Sequence, residues 1–161
     1  MAAQAGGAGK ASLVPALYTD YLPPRLMKRA RDFFSYNVEI LPLAAATTDQ
    51  ATFAVQNDSD FLAVSIVGTA RDPAAPGTMF ANPGITMQIE DSGSGRTLFN
   101  RVVDWAQFVG TAALPGFLPY PKVIGRSSTV TFTFANLTAA QDYDIRVAVA
   151  GFKIFEWDRN E

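Results

Sequence analysis

The sequence predicts an all-β protein: an antiparallel β-sandwich of the jelly-roll type, preceded by a flexible N-terminal arm and a short amphipathic helix. First, apolar and polar residues alternate with a period of two in six separate runs after residue 35. Second, turn-forming residues separate these runs, and no helical segments alternate with them. We therefore assign residues 1–35 to the arm and helix, and residues 36–161 to the sandwich.

The six runs differ in how strictly they alternate. They are YNVEILPL (36–43), TFAVQ (52–56), DFLAVSIVGTA (60–70), ITMQIE (85–90), STVTFTFANL (128–137) and DYDIRVAVAGFKIF (142–155). In the third run, the additional Phe61 and Val67 predict burial on both faces. In the last run the apolar phase changes after Val149, and we predict a bulge at Gly151.

Two connections have informative turn chemistry. The segment EDSGSGRTLFN (90–100) predicts a hairpin that joins the fourth run to a strand beginning near Thr97. The segment from 104 to 125 contains Pro115, Pro119 and Pro121 and no clear period, which predicts an extended, rigid loop. Trp105 and Phe108 lie in this loop, either as core residues or at a binding surface.

The predicted helix begins in LPPRLMKRARDFFSYN (22–37), where two prolines suit its first turn. At about 100° per residue its apolar residues occupy one arc and its charged residues the other. The apolar arc comprises Leu22, Leu26, Met27, Ala30, Phe33 and Phe34, and the charged arc comprises Arg25, Lys28, Arg29, Arg31 and Asp32. Four cations so close together form either a solvated face, a contact with an acidic protein or a contact with nucleic acid.

The arm, residues 1–12, is small and Gly-rich, and it buries too little apolar surface to order by itself. It is either a frayed terminus or a segment that orders along a neighbour on assembly. Charged residues make up only 17% of the chain, so we expect another subunit to cover part of the surface.

The amino-acid composition argues against most kinds of catalytic and metal-binding site. The chain has no His and no Cys, which removes the usual nucleophile–base pairs and the commonest ligands of transition metals. We expect no enzyme activity, no metal site and no cofactor. GSGR (93–96) lies between two strands, which favours a hairpin turn over a phosphate-binding loop. A pI near 5.1 argues against direct nucleic-acid contact, and no apolar stretch is long enough to span a membrane.

The order of several motifs resembles that in the small jelly-roll cement, or decoration, proteins of tailed-bacteriophage heads. The motifs are LPPRLMKRARDFFSYNVEI, NDSDFLAVSIVGTA, ITMQIEDSGSGRTLFN, GFLPYPKVI and YDIRVAVAGFKIF. The resemblance covers roughly residues 20 to 155. Residues 1–19 and the acidic end EWDRNE have no counterpart in it.

The resemblance implies a virion protein that is assembled in the host cytoplasm and bound to the outer surface of the capsid. It implies a homo-oligomer, a dimer or a trimer, that clamps neighbouring subunits of the major capsid protein. The expected interface residues are Arg25, Lys28, Arg29, Arg31, Trp105 and Phe108, with Leu22, Leu26, Ala30 and Phe33 holding the helix to the sandwich. The alternative is a virion adaptor or recognition module, either a tail-fibre anchor or a carbohydrate-binding sandwich, whose aromatic residues would be Trp105, Tyr120 and Trp157.

Overall fold

The computed structural model describes residues 31–155, and for Arg31 the backbone alone. Nine strands and one short helix follow one another in this part of the chain. They are β1 (Arg31–Leu43), β2 (Thr48–Ala54), β3 (Ser59–Arg71), β4 (Ile85–Asp91), β5 (Arg96–Thr97), β6 (Val103–Asp104), α1 (Trp105–Phe108), β7 (Gly116–Ile124), β8 (Thr129–Asn136) and β9 (Tyr143–Phe155).

The strands form two antiparallel sheets that pack face to face, as predicted for an all-β sandwich. One sheet has the order β1-β9-β3-β7, and the other has the order β2-β8-β4-β5, with β6 also paired to β4. Strands that are distant in sequence are therefore neighbours in each sheet. The termini of the described chain lie together, because Arg31 at the start of β1 is in register with Ile154 near the end of β9.

The core between the sheets is built from the inward residues of the alternating runs. Phe61, Phe132 and Phe134 are completely buried. Tyr36 stacks on Phe53 with 4.7 Å between ring centroids and meets Phe61 edge to face at 4.9 Å. Such aromatic pairs add to the stabilisation from the apolar area that they bury. The alternation in the sequence therefore predicts the core of the sandwich correctly.

The boundary between the predicted helix and the sandwich is wrong. Strand β1 begins at Arg31, so the last residues assigned to the helix, Arg31 to Phe34, lie in a strand. Phe33 contacts Phe152 of β9 edge to face, with 6.1 Å between ring centroids. Pairing with β9 outweighs the local helical period, because it satisfies the backbone of these residues within a sheet. The rest of the predicted helix, residues 22–30, and the arm lie outside the described residues.

The predicted bulge at Gly151 is also wrong. The register of β9 against β1 is continuous from Ile145 to Ile154, and the irregularity lies on β3, between Ala63 and Ser65. Regular alternation of β9 places Lys153 on the inner face and Phe152 and Ile154 on the outer face. The change of apolar phase in the sequence therefore marks the point where the outer face of β9 becomes buried. Both faces of the neighbouring strand β3 are buried here, as predicted for the third run.

Of the two predicted connections, one is confirmed. The DSGSGR turn joins β4 to β5 with Glu90 opposite Thr97 and Asp91 opposite Arg96, and Gly95 has a φ of +60°. The predicted loop 104–125 instead contains β7, the last strand of its sheet. The pairing of β7 with β3 shifts register between Phe117 and Lys122, which is where the prolines remove backbone donors.

Candidate interaction surface

The structure places the six predicted interface residues in different settings. Arg25, Lys28 and Arg29 lie outside the described residues. Arg31 opens β1, and its side chain is not among those described. These four cations, which we call the basic cluster, therefore come directly before or at the start of the first strand of the four-stranded sheet.

Trp105 and Phe108 both belong to α1, the short helix between β6 and β7. Trp105 is only 4% exposed and its ring lies 6.3 Å from that of Phe134, so it is a core residue and not an interface residue in this structure. Phe108 is half-buried and meets Phe99 edge to face at 4.4 Å between centroids. It lies at the surface, where a partner can contact it.

Four large, exposed apolar side chains belong to β7 and the turn before it. Leu114 is 79% exposed, Tyr120 72%, Phe117 57% and Val123 38%. We call these four residues the β7 apolar edge. Large exposed apolar side chains this close together in the sequence are candidates for a protein interaction site. Sequence reasoning named only Tyr120 of these four residues, although the other aromatic and apolar residues of GFLPYPKVI (116–124) are visible in the sequence.

The backbone of β7 limits how a partner can bind there. β7 is an edge strand of the four-stranded sheet, and Pro119 and Pro121 have no N–H to donate to an added strand. Prolines on an edge strand discourage pairing with a strand of another chain. We therefore expect binding at the β7 apolar edge to come mainly from side-chain packing.

An open groove lies between β7 and the β5–β6 segment of the opposite sheet, where the two layers separate. Its volume is about 560 Å³. We call it the interlayer groove. Its apolar wall includes Phe99, Phe108 and Leu118, and its polar rim includes Arg96 and Lys122. Tyr120 belongs to both the groove and the β7 apolar edge. An aromatic wall beside cations suits an apolar group that carries an acid or hydroxyls.

The cation at one end of the groove is held by a buried carboxylate. Asp91 is 1% exposed and accepts hydrogen bonds from the Gly93 N–H at 3.0 Å and the Ser94 hydroxyl at 2.7 Å. Lys122 Nζ lies 3.7 Å from Asp91 Oδ2 and donates to Ser94 Oγ at 3.4 Å. The DSGSGR turn therefore positions Lys122, and its glycines and serines have a structural role here.

A second cation is buried at the end of the sandwich. Lys153 donates to Gln56 Oε1 and, at 3.3 Å, to Asp58 Oδ2, and its ammonium lies 4.5 Å from the centroid of the Phe34 ring. The Ser59 hydroxyl, followed by Lys153, holds the pKa of the Asp58 carboxyl below its usual value. These partners satisfy the buried charge, which is a structural arrangement and not a reactive one.

The outer face of the four-stranded sheet also has a shallow depression of about 570 Å³, between β1, β9 and β3. Glu39 and Arg146 form an ion pair of 3.4 Å at its rim, with both side chains 62% exposed. An ion pair so exposed contributes little to binding or stability. The side chains that line this depression do not form a grouping typical of a catalytic or ligand-binding site.

Residues 31–155 contain no group of three or more acidic side chains that could hold a metal ion. Within the same range, no helix is long and apolar enough to cross a membrane. The surface features that the structure does describe are apolar edges and grooves, which suit binding to another macromolecule.

No family model matches the sequence, and no curated protein matches it either.

Proposed function

We propose that this chain is a structural protein of a tailed-phage virion, bound to the outer surface of the head as a cement or decoration protein. Its partner would be the major capsid protein, whose neighbouring subunits it would clamp together around the packaged DNA. The observation that carries the proposal is the β7 apolar edge, which offers exposed side chains for packing on an edge strand whose prolines discourage strand addition. The order of sequence motifs described above supports the same assignment.

We further propose that the sandwich is a jelly roll. In that fold eight strands form two four-stranded sheets, and strands from the beginning and end of the chain lie side by side. The orders β1-β9-β3-β7 and β2-β8-β4-β5 are those expected for it, with the two-residue β6 as an addition. Viral capsid proteins commonly use this architecture, and so do lectins, so the fold alone does not choose between the two functions.

The proposed clamp would use two kinds of contact. The β7 apolar edge would pack against another subunit, either of the capsid or of a second copy of this chain in a dimer or trimer. The cations Arg25, Lys28, Arg29 and Arg31 would face acidic patches of the shell. Such charges guide orientation and speed association more than they add affinity.

The basic cluster gives the first test. With Arg25, Lys28, Arg29 and Arg31 all changed to Ser, we expect weaker attachment to purified heads that lack the protein, and a larger loss at low salt than at high salt. The reason is that salt shortens the screening length to about 8 Å at 0.15 M and about 3 Å at 1 M. Co-sedimentation of protein with heads across a salt series measures the effect.

The control is a variant with the same change in net charge at scattered positions. It replaces Lys10, Arg101, Arg146 and Arg159 with Ser. Attachment of the control variant should show a smaller loss at every salt concentration. If the two variants attach equally well, the basic cluster has no role in attachment.

The interlayer groove favours a second candidate function, a recognition module such as a tail-fibre anchor or a carbohydrate-binding sandwich. Aromatic rings beside polar groups are what a saccharide site needs, and Tyr120, Phe99 and Phe108 lie beside Gln107 and Lys122. This alternative predicts that Phe108→Ala abolishes binding to a saccharide of the host surface and leaves attachment to heads unchanged. The cement function predicts that neither the parent protein nor the Phe108→Ala variant binds a saccharide.

A further inference from the structure

Strand β2 forms one edge of the five-stranded sheet, and β8 is the one strand paired with it in the described part of the chain. The backbone bonds just outside its two ends, at Thr47 and Val55, both run to β8 or to the residue before it. Because bonded and free positions alternate along an edge strand, the N–H and C=O groups of every second residue between them point away from the sheet. These residues are Thr48, Gln50, Thr52 and Ala54, all of them exposed, and we call them the free β2 edge.

The other edges of the two sheets are protected against the addition of a strand. β7 carries Pro119 and Pro121, and β1 carries Pro42 together with the charged Asp32 and Glu39. β5 is only two residues long. Prolines, charges and short length are devices that keep edge strands from pairing with other chains. β2 has seven residues, TDQATFA, with no proline and no basic residue, so a strand of another molecule can extend the sheet there.

We propose that the free β2 edge pairs antiparallel with the same edge of a second copy, about a two-fold axis at Ala51. The two five-stranded sheets would then form one continuous sheet. Thr48 of each copy lies opposite Ala54 of the other. Gln50 likewise lies opposite Thr52, so outward-pointing groups meet in all four pairs. Each such pair exchanges two N–H···O=C bonds, which gives about eight between the two strands.

The side chains of β2 favour a second copy as the partner. Asp49 is the only charged residue of the strand, and an axis at Ala51 places it opposite Phe53, so the two carboxylates do not face each other. Gln50 opposite Thr52 repeats the pair that Gln50 forms with Thr133 of β8, where the amide Nε2 donates to the hydroxyl at 3.0 Å. The contact is isologous, with one self-complementary patch on both copies.

Asp49 limits the strength of this pairing. Its Oδ1 accepts a hydrogen bond from the Gln50 N–H at 2.7 Å, and that N–H is one of the outward-pointing donors. Pairing exchanges this bond for one to the second copy. The dimer is therefore expected to be reversible, and Asp49→Ala should tighten it.

The proposal does not rest on the cement function. β2 and β7 lie on opposite sides of the sandwich, because β5, at the far end of the sheet from β2, borders the interlayer groove beside β7. A β2 dimer therefore leaves the β7 apolar edge free for another partner.

The absence of cysteine from the chain allows the register to be tested by cross-linking in the full-length protein. Ala51 lies opposite itself at a non-bonded position with about 4.5 Å between Cα atoms, within the span of a disulfide. The two copies of Gln50 lie about 9 Å apart, which is too far. On mild oxidation with diamide we expect Ala51→Cys to form a covalent dimer at least about tenfold faster than the matched control, Gln50→Cys.

Sedimentation equilibrium over a concentration series measures the dimer itself. Thr52→Lys places a charge on the free β2 edge and should raise the dimer Kd by more than about tenfold. Thr97→Lys is the matched control, at an exposed position of β5 on the far side of the same sheet, and should leave Kd unchanged. Asp49→Ala should lower Kd.

Amide hydrogen exchange of the parent protein tests the backbone bonds. The N–H groups of Thr52 and Ala54 should gain protection as the concentration rises. The Phe53 N–H, which points towards β8, should be protected throughout.

Three results would overturn the proposal. One is a parent protein that stays monomeric across the concentration series. Another is cross-linking of Gln50→Cys as fast as that of Ala51→Cys. The third is a dimer whose Kd is the same in Thr52→Lys as in Thr97→Lys. Attachment to phage heads is measured separately, so none of these results decides the cement function.

Discussion

Gly151→Ala should lower the free energy of unfolding by about 3 kcal/mol or more, the upper end of what overpacking costs. A Cβ atom at this position would lie 2.0 Å from the carbonyl oxygen of Leu62 and 2.9 Å from the ring of Phe61. Neither contact can relax by a simple side-chain rotation. Gly151 is held between Phe34 of β1 and Ala63 of β3, so moving its backbone would disturb three strands.

Urea-induced unfolding of the two proteins measures this difference, provided that the slope of the transition is unchanged. Gly77→Ala is the matched control, because nothing lies within 4 Å of a Cβ at that position. The control should change the free energy of unfolding by less than about 0.5 kcal/mol. Equal midpoints for Gly151→Ala and Gly77→Ala would show that the close approach of β9 and β3 is not as described.

Asn136→Leu should be destabilising to a similar degree, by about 3 kcal/mol, for a different reason. Asn136 is 3% exposed at the end of β8, and its side chain joins two loops. Its amide Nδ2 donates to the carbonyl oxygens of Leu43 at 3.3 Å, Ala44 at 3.1 Å and Gln141 at 2.8 Å. Its Oδ1 accepts from the N–H and the hydroxyl of Thr138. Leucine would remove all five of these hydrogen bonds. The carbonyl oxygens of Ala44 and Gln141 would keep bonds from Thr47 and from the Thr138 hydroxyl, but the Thr138 N–H would lose its acceptor. A polar group left unpaired away from water costs about 1–3 kcal/mol.

Asn136→Asp separates hydrogen bonding from shape. It keeps the size of the side chain and the bonds from Thr138, but it sets a carboxylate against three carbonyl oxygens, so we expect it also to be strongly destabilised. Asn37→Leu, at an exposed position of β1, is the control and should be nearly neutral. Thermal unfolding of the four proteins at one pH is sufficient. A melting temperature for Asn136→Asp equal to that of the parent would contradict the assigned bonds.

The strands that alternate strictly could be predicted from the sequence, because burial of one face imposes a period of two. This holds for β4 and β8, where Ile89 and Phe132 alternate with exposed or half-buried polar residues. It fails for β7, where Pro119 and Pro121 disguise an edge strand as a loop. It also fails at β1, where local residues favour a helix and distant residues on β9 determine the strand.

The candidate surface was harder to predict than the fold. Trp105 and Phe108 are three residues apart in α1, yet one is a core residue and the other lies at the surface, and no local pattern separates them. The change of phase near Gly151 was visible, but a bulge and a strand with two buried faces give the same sequence pattern. Asn136 looks like an ordinary turn residue, because its partners are the backbones of two loops, one of them distant in sequence.

The most direct test of the proposed function is electron cryomicroscopy of the assembled virion, with the copy number of this chain measured against that of the major capsid protein. The cement function predicts density for the sandwich on the outside of the head, repeated across the capsid lattice, and a copy number comparable with that of the major capsid protein. Density confined to the tail or to a single vertex, with only a few copies per particle, would contradict it.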